Sequence, residues 1–200
     1  MNLKPLFLFA TAALVTSTAI GAAPSSPHES GWYMGAGIGR ATNNIHPSNY
    51  PSDTHVDTKS TGYQLHGGYQ FNKYLMTEMA YVDFGTLKID SPTAYATAKI
   101  RALTLSAIGM VPFSQDFSLL GKLGLAQLMI DANEASKSGA FRFDSSATRT
   151  TLLMGLGMRY LITPSVALRA EYDYVPKTQV FQTSAKLSNS MMSLGIDYRF

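Results

Sequence analysis

The sequence predicts an all-β fold, a membrane-spanning antiparallel up-and-down β-barrel of about eight strands. Three observations point there. Residues 191–200 close the chain with Met192, Leu194, Ile196, Tyr198 and Phe200 on one parity and Ser193, Gly195, Asp197 and Arg199 on the other. A strand turns alternate side chains to opposite faces, so one face of this ending is apolar with aromatics at its tip and the other is small or charged. The same alternation recurs upstream between connections that are alternately short and long, and the N-terminus carries an export signal.

That signal sets the compartment. Lys4 is followed by an apolar stretch over residues 6–20, with its core at 6–15, and then by Gly21, Ala22 and Ala23. This is the pattern of a secretory signal peptide, expected to be cut after Ala22, because a cut after Ala23 would place Pro24 just beyond it. The apolar core is too short for a spanning helix. The expected organisation is therefore a signal peptide at 1–22, a short periplasmic leader at 23–30 and a barrel at 31–200. With no cysteine, the chain has neither a lipoprotein anchor nor a disulfide framework. The formal net charge of +3 falls to about +2 once Lys4 is removed, and no run of Lys and Arg marks a nucleic-acid arm. Downstream of the signal no segment is apolar for the 18 residues that a transmembrane helix needs, so a membrane crossing has to be made by closed strands.

The first strand is expected at 31–41, with Trp32, Met34, Ala36 and Ile38 outward and Gly35, Gly37 and Gly39 inward, where a narrow barrel leaves little room. The glycines lack the spacing and following helix of a dinucleotide loop. The second, at 60–71, alternates most cleanly: Tyr63, Leu65, Gly67, Tyr69 and Phe71 outward, Gly62, Gln64, His66, Gly68 and Gln70 inward. A turn at Asn72 and Lys73 leads to a third strand at 74–86, with Met79 and Tyr81 outward and Glu78 inward; its phase slips near Asp83, which calls for a bulge or the outer rim. The fourth, 98–112, places Leu103, Leu105, Ala107 and Val111 outward and Thr104, Ser106 and Ile108 inward. After a turn at 114–116, the fifth, 117–130, places Leu119, Leu123 and Leu125 outward and Lys122 inward. The sixth, 147–161, has Leu152, Met154, Leu156, Met158 and Tyr160 outward, with Leu153, Gly155, Gly157 and Arg159 inward. A turn at 163–165 leads to the seventh, 166–175, with Leu168, Ala170, Tyr172 and Tyr174 outward and Arg169, Glu171 and Asp173 inward. The eighth is 186–200. The longer polar connections, 42–59, 85–97, 131–146 and 176–185, alternate with the short turns, as extracellular loops alternate with periplasmic turns in outer-membrane barrels.

At this point a family resemblance becomes visible. Residues 156–164 with 167–172, together with 31–36, 68–72 and 194–200, resemble the OmpA-like transmembrane domain, and related opacity-type surface antigens share these motifs. The resemblance runs over about residues 31–200 and implies a cell outer membrane barrel of a Gram-negative envelope. Because the sequence ends with the barrel, no peptidoglycan-binding domain is expected. The family also implies a C-terminal assembly signal at Tyr198 and Phe200, read by the barrel-assembly machinery. The partners implied are the outer-membrane lipid bilayer and lipopolysaccharide, with a host or phage ligand on the loops.

The inward charges form one constellation: Glu78, Lys122, Arg159, Arg169, Glu171, Asp173 and Asp197, with Arg199 at the rim. Unpaired charge in a narrow lumen is costly. Adjacency therefore predicts Arg159–Glu171 and Arg169–Asp197 pairs, with Glu78 reaching Lys122. In the resembling family an inward Glu on the third strand and an inward Arg on the seventh belong to such a cluster, and Glu78 and Arg169 match them. Arg159 replaces the family's strand-six acid and Ile108 its strand-four lysine, so the partners must be rearranged. The expected role is a structural plug, with a narrow pore for ions or small solutes as the alternative. His66 reads as a hydrogen-bonded filler, His46 and His55 with Asp53 and Asp57 fit no metal spacing, and no membrane strand carries a His–Ser pair. No enzyme activity, metal or cofactor is expected. The outward Trp32, Tyr69, Phe71, Tyr160, Tyr198 and Phe200 form a periplasmic aromatic girdle. The function expected is that of a structural envelope protein and surface antigen.

Overall fold

The computed structural model describes residues 30–46, 55–57, 59–90, 94–136, 142–179 and 186–200. The expected signal peptide and all of the leader but Ser30 lie outside them, as does Asp53. Eight long antiparallel strands form a closed ring: β1 (Gly31–His46), β3 (Lys59–Asn72), β4 (Leu75–Asp90), β5 (Ala94–Pro112), β6 (Phe117–Ser136), β7 (Arg142–Leu161), β8 (Val166–Gln179) and β9 (Lys186–Arg199). β9 pairs with β1, and β4 with β5, which joins the two ends of the strand order. A short β2 (His55–Asp57) lies outside the ring and pairs with β4 through Asp57 and Lys88.

The register fixes the tilt. From Ala36 one way round, through Leu65, Tyr81, Leu103 and Gln127, the pairing reaches Thr150 on β7. The other way, through Ile196 and Leu168, it reaches Tyr160. This stagger of about ten residues on closure is the shear that makes barrel strands run obliquely.

Several strands are longer than hydropathy suggested. β5 begins at Ala94, β6 continues to Ser136, β7 begins at Arg142, and β1 reaches His46. Their upper parts are still paired, as in Ala135 with Arg142, but those of β1, β6 and β7 carry polar residues on both parities and that of β5 sets Thr97 and Lys99 against alanines alone, so the alternation that marks a lipid-facing strand is absent there. The first turn is also one residue later than expected. Asn72 belongs to β3 beside a register shift, and its Oδ1 accepts the Tyr74 amide at 2.8 Å. Ser114 Oγ accepts the Phe117 amide at 3.1 Å and Thr163 Oγ1 accepts that of Val166 at 3.0 Å. Each short turn is thus held by a side chain that satisfies its backbone.

The slip on β4 is a bulge. The register shifts between Asp83 and Thr86, Gly85 has a φ of 77°, and its amide donates to Asp83 Oδ1 at 2.7 Å. A left-handed φ favours glycine. Asp83 stays on the outer face at the upper rim, 3.7 Å from Lys99 Nζ. The outer wall is otherwise apolar: Trp32, Leu65, Leu105, Leu123, Leu156, Leu194 and Phe200 are all more than half exposed. Aromatic pairs tie its lower edge, with ring centroids 5.2 Å apart for Trp32–Tyr69, Tyr69–Phe71 and Tyr198–Phe200. Phe200 itself follows β9, and its amide donates to Trp32 O at 3.1 Å, fastening the end of the chain to its first strand.

Candidate functional site in the lumen

Inward parity brings Glu78, Lys122, Arg159, Arg169, Glu171, Asp173 and Asp197 into one layer, each at most 7% exposed. Arg169 is its hub. Its Nε and Nη2 donate to Asp197 Oδ2 at 2.9 and 2.7 Å, and its Nη1 meets Glu78 Oε2 and, at 3.4 Å, Glu171 Oε1. Lys122 Nζ lies 3.1 Å from Glu78, 3.0 Å from Glu171 and 3.5 Å from Asp173. One guanidinium and one ammonium thus divide four carboxylates between them. Arg169 supplies planar, forked donation and Lys122 a compact charge on its neighbours.

Two of the three pairs expected from strand adjacency form, Arg169–Asp197 and Glu78–Lys122. Arg159–Glu171 does not. The register sets Gly157 opposite Glu171 and Arg159 opposite Arg169, so Glu171 lies up beside Lys122. Arg159 turns down instead: its Nη1 donates to Gln70 Oε1 at 3.2 Å and its Nε lies 3.7 Å from Asp197 Oδ2. Arg199, expected at the rim, is only 3% exposed, and it donates to Pro164 O at 3.0 Å, at the periplasmic turn.

Three further side chains complete the layer. His66 Nε2 sits 2.8 Å from Asp197 Oδ1. Tyr33 donates to Glu78 Oε2 at 3.1 Å while its ring lies 5.4 Å under the Arg169 guanidinium. Gln64 Nε2 donates to Ser193 Oγ at 3.2 Å and to Glu171 Oε2 at 3.4 Å. Glycines opposite these groups leave the space they occupy: a Cβ on Gly35 would lie 2.4 Å from His66 Nε2, and one on Gly155 2.3 Å from Asp173 Oδ1. Tyr33 went unnoticed in the sequence because a lone Tyr between outward Trp32 and Met34 carries no motif; its inward parity was the available signal.

The charge layer is also not the whole filling. On its extracellular side the lumen holds a buried apolar cluster that includes Val82, Phe84, Ile100, Leu128, Ile130, Leu153, Val175 and Met191. Toward the periplasm, Tyr33, Met76, Ile108, Met110 and Leu120 form a second cluster. The sequence had marked Ile108 and Leu153 as inward but not these clusters. Their residues continue the inward parity of β4, β5 and β6 past the charges, so parity held the information and the charged residues drew attention from it. At the upper end the β2 residues and His46 are described as strand only, and the histidine–aspartate set of the first loop lies largely outside the described residues.

An antiparallel ring with an apolar outer wall, an aromatic lower edge and a packed polar and apolar interior defines a class, the small outer-membrane β-barrel. Comparison with known proteins narrows it. The chain belongs to the OmpA-like transmembrane domain family, whose model matches residues 27–200. It is 30% identical over 183 residues to outer membrane protein A of Yersinia pseudotuberculosis and 29% over 182 residues to that of Shigella flexneri, covering 89% of this chain in each case. The match takes up 51% of either relative, so the chain spans about half the length of the curated proteins that it resembles. Among solved structures, Neisserial surface protein A is similar with a TM-score of 0.58 at 21% identity, covering 84% of this chain and 97% of that one. Ail of Yersinia pestis gives 0.53 at 21% identity, covering 84% and 98%. These likenesses concern the fold. The protein is an outer-membrane barrel, and the bilayer is the environment of its outward face.

Proposed function

We propose that this protein is a closed structural barrel of the outer membrane that displays polar extracellular loops, and that it works by what it presents rather than by what it passes. The observation that supports this most is the filled lumen: a paired charge layer lies between two buried apolar clusters. A hydrated path through such an interior would have to open the ion pairs and also wet an apolar segment. In this reading the inward charges hold the strands together, Tyr198 and Phe200 serve as the mark by which the assembly machinery takes up the closing strand, and no catalytic step is performed. Outer-leaflet lipopolysaccharide surrounds the upper wall, and the loops contact a host or phage surface.

A solute-efflux measurement tests it. Refolded protein in liposomes is expected to hold trapped ions and small sugars as protein-free liposomes do. Steady release would replace this reading with a narrow pore. For the loops, sucrose octasulfate is a suitable first probe, since Ail has been solved in complex with that heparin analogue.

A further inference from the structure

The outer wall is not uniformly convex. A depression of about 440 Å³ lies on the bilayer-facing side of β1, β3, β4 and β5, lined by Trp32, Gly67, Tyr69, Phe71, Met79 and Leu105. Its size falls within the roughly 300–1,000 Å³ of ligand clefts. Its floor is Gly67, which points outward between Met34 on β1 and Met79 on β4. The absence of a side chain at Gly67 has no packing cause: a Cβ there would meet only Tyr33 O, at an ordinary 3.5 Å. At the inward Gly68, by contrast, a Cβ would lie 1.9 Å from Thr77 O. Gly68 is bare because the barrel wall forbids a side chain, whereas Gly67 is bare where a side chain would fit and would fill the depression. Edge-to-face contacts among the rings of Trp32, Tyr69 and Phe71 make its lower wall rigid.

We propose that this depression seats one acyl chain of a periplasmic-leaflet phospholipid. The occupant follows from the surroundings. The depression opens on the face that the bilayer covers, its walls are mainly apolar or aromatic, with Thr77 and Glu78 the polar residues of the lining, and it begins at the girdle where headgroups of that leaflet stand and runs toward the midplane, the course of a lipid tail. A rigid concave wall holds such a chain longer than the convex wall elsewhere, because more of its methylenes leave the surrounding disorder for fixed contacts.

The chain carries its own reporter, since Trp32 is its single tryptophan. The refolded protein in detergent micelles is titrated with phosphatidylethanolamine brominated along its acyl chains, and Trp32 fluorescence is compared with that in unbrominated lipid. The expected result is saturable quenching near one lipid per protein. Gly67→Leu, which fills the depression, should need about tenfold more lipid, corresponding to roughly two methylenes of lost contact. Gly109→Leu adds a side chain at an outward glycine outside the depression, where a Cβ would meet only Gly121 O at an ordinary 3.8 Å, and should titrate as the native protein does. Heat-modifiable gel mobility verifies that each variant remains a barrel. Three results would overturn the proposal: quenching that rises without saturation, equal titrations for native and Gly67→Leu proteins, or a concentration-dependent dimer that excludes lipid and is abolished by Gly67→Leu.

Discussion

Arg169 meets three of the four lumen carboxylates, and its removal would leave Asp197 and Glu78 short of their main counter-charge. Breaking a buried pair by deleting one partner costs about 3–5 kcal/mol, so Arg169→Ala should lower stability by that order in urea titrations of the refolded protein. Arg169→Lys should recover only part of it, because an ammonium cannot reproduce the two bonds that Nε and Nη2 make to Asp197. The glycines give a second contrast. Gly68→Ala must displace backbone and should cost about 1–3 kcal/mol, whereas Gly67→Ala should be close to neutral in the same titration. At this scale the sequence was readable as to side: Glu78, Lys122, Arg169 and Asp197 could be placed in the lumen by parity alone. Their partners were less so. The Arg159–Glu171 pairing assumed that neighbours on adjacent strands sit level, and strand stagger separates them.

Strand parity decides what lipid sees. Leu105 is 59% exposed on the outer wall while its neighbour Ser106 is 4% exposed inside. Near mid-bilayer an outward Arg should cost about 2–4 kcal/mol and near an interface about 0–1. Leu105→Arg should therefore reduce folding into vesicles strongly and Val111→Arg, next to the periplasmic turn, only slightly. Equal losses would mean that the depth assigned along β5 is wrong. The same elements show where hydropathy stops informing. Within the bilayer, one wet or charged face and one lipid face produce alternation. Above it both faces meet water, so the paired continuation of β6 and β7 to Ala135 and Arg142 leaves no pattern and reads as loop. The bulge at Gly85 was detectable only as a slipped phase around Asp83, because one inserted residue reverses every face after it.

Over the whole molecule, two structural facts bear on closure: the barrel is sealed by β9 against β1, and its interior is filled in layers. Phe200 contributes to the first through its amide bond to Trp32 O and its ring contact with Tyr198. Deleting Phe200 should lower the level of protein reaching the outer membrane in fractionated cells; unchanged levels would remove it as a targeting element. The fold class was legible from alternation and connection lengths, because barrel strands have to repeat that pattern to face lipid. The apolar filling was less visible, since inward Val82, Phe84, Ile100 and Leu128 sit beside Asp83, Lys99, Arg101 and Gln127 of the other parity, so near the upper rim the apolar side of the alternation is the inner one and not the lipid-facing one. That filling gives the central claim, a lumen closed independently by paired charges and by packed apolar side chains. Single-channel recording in planar bilayers tests it most directly, using the native protein beside Arg169→Ala and Phe84→Ala. All three should stay closed, since each substitution leaves the other layer in place; a native protein that conducts steadily, or one substitution that alone opens a stable channel, would contradict the account.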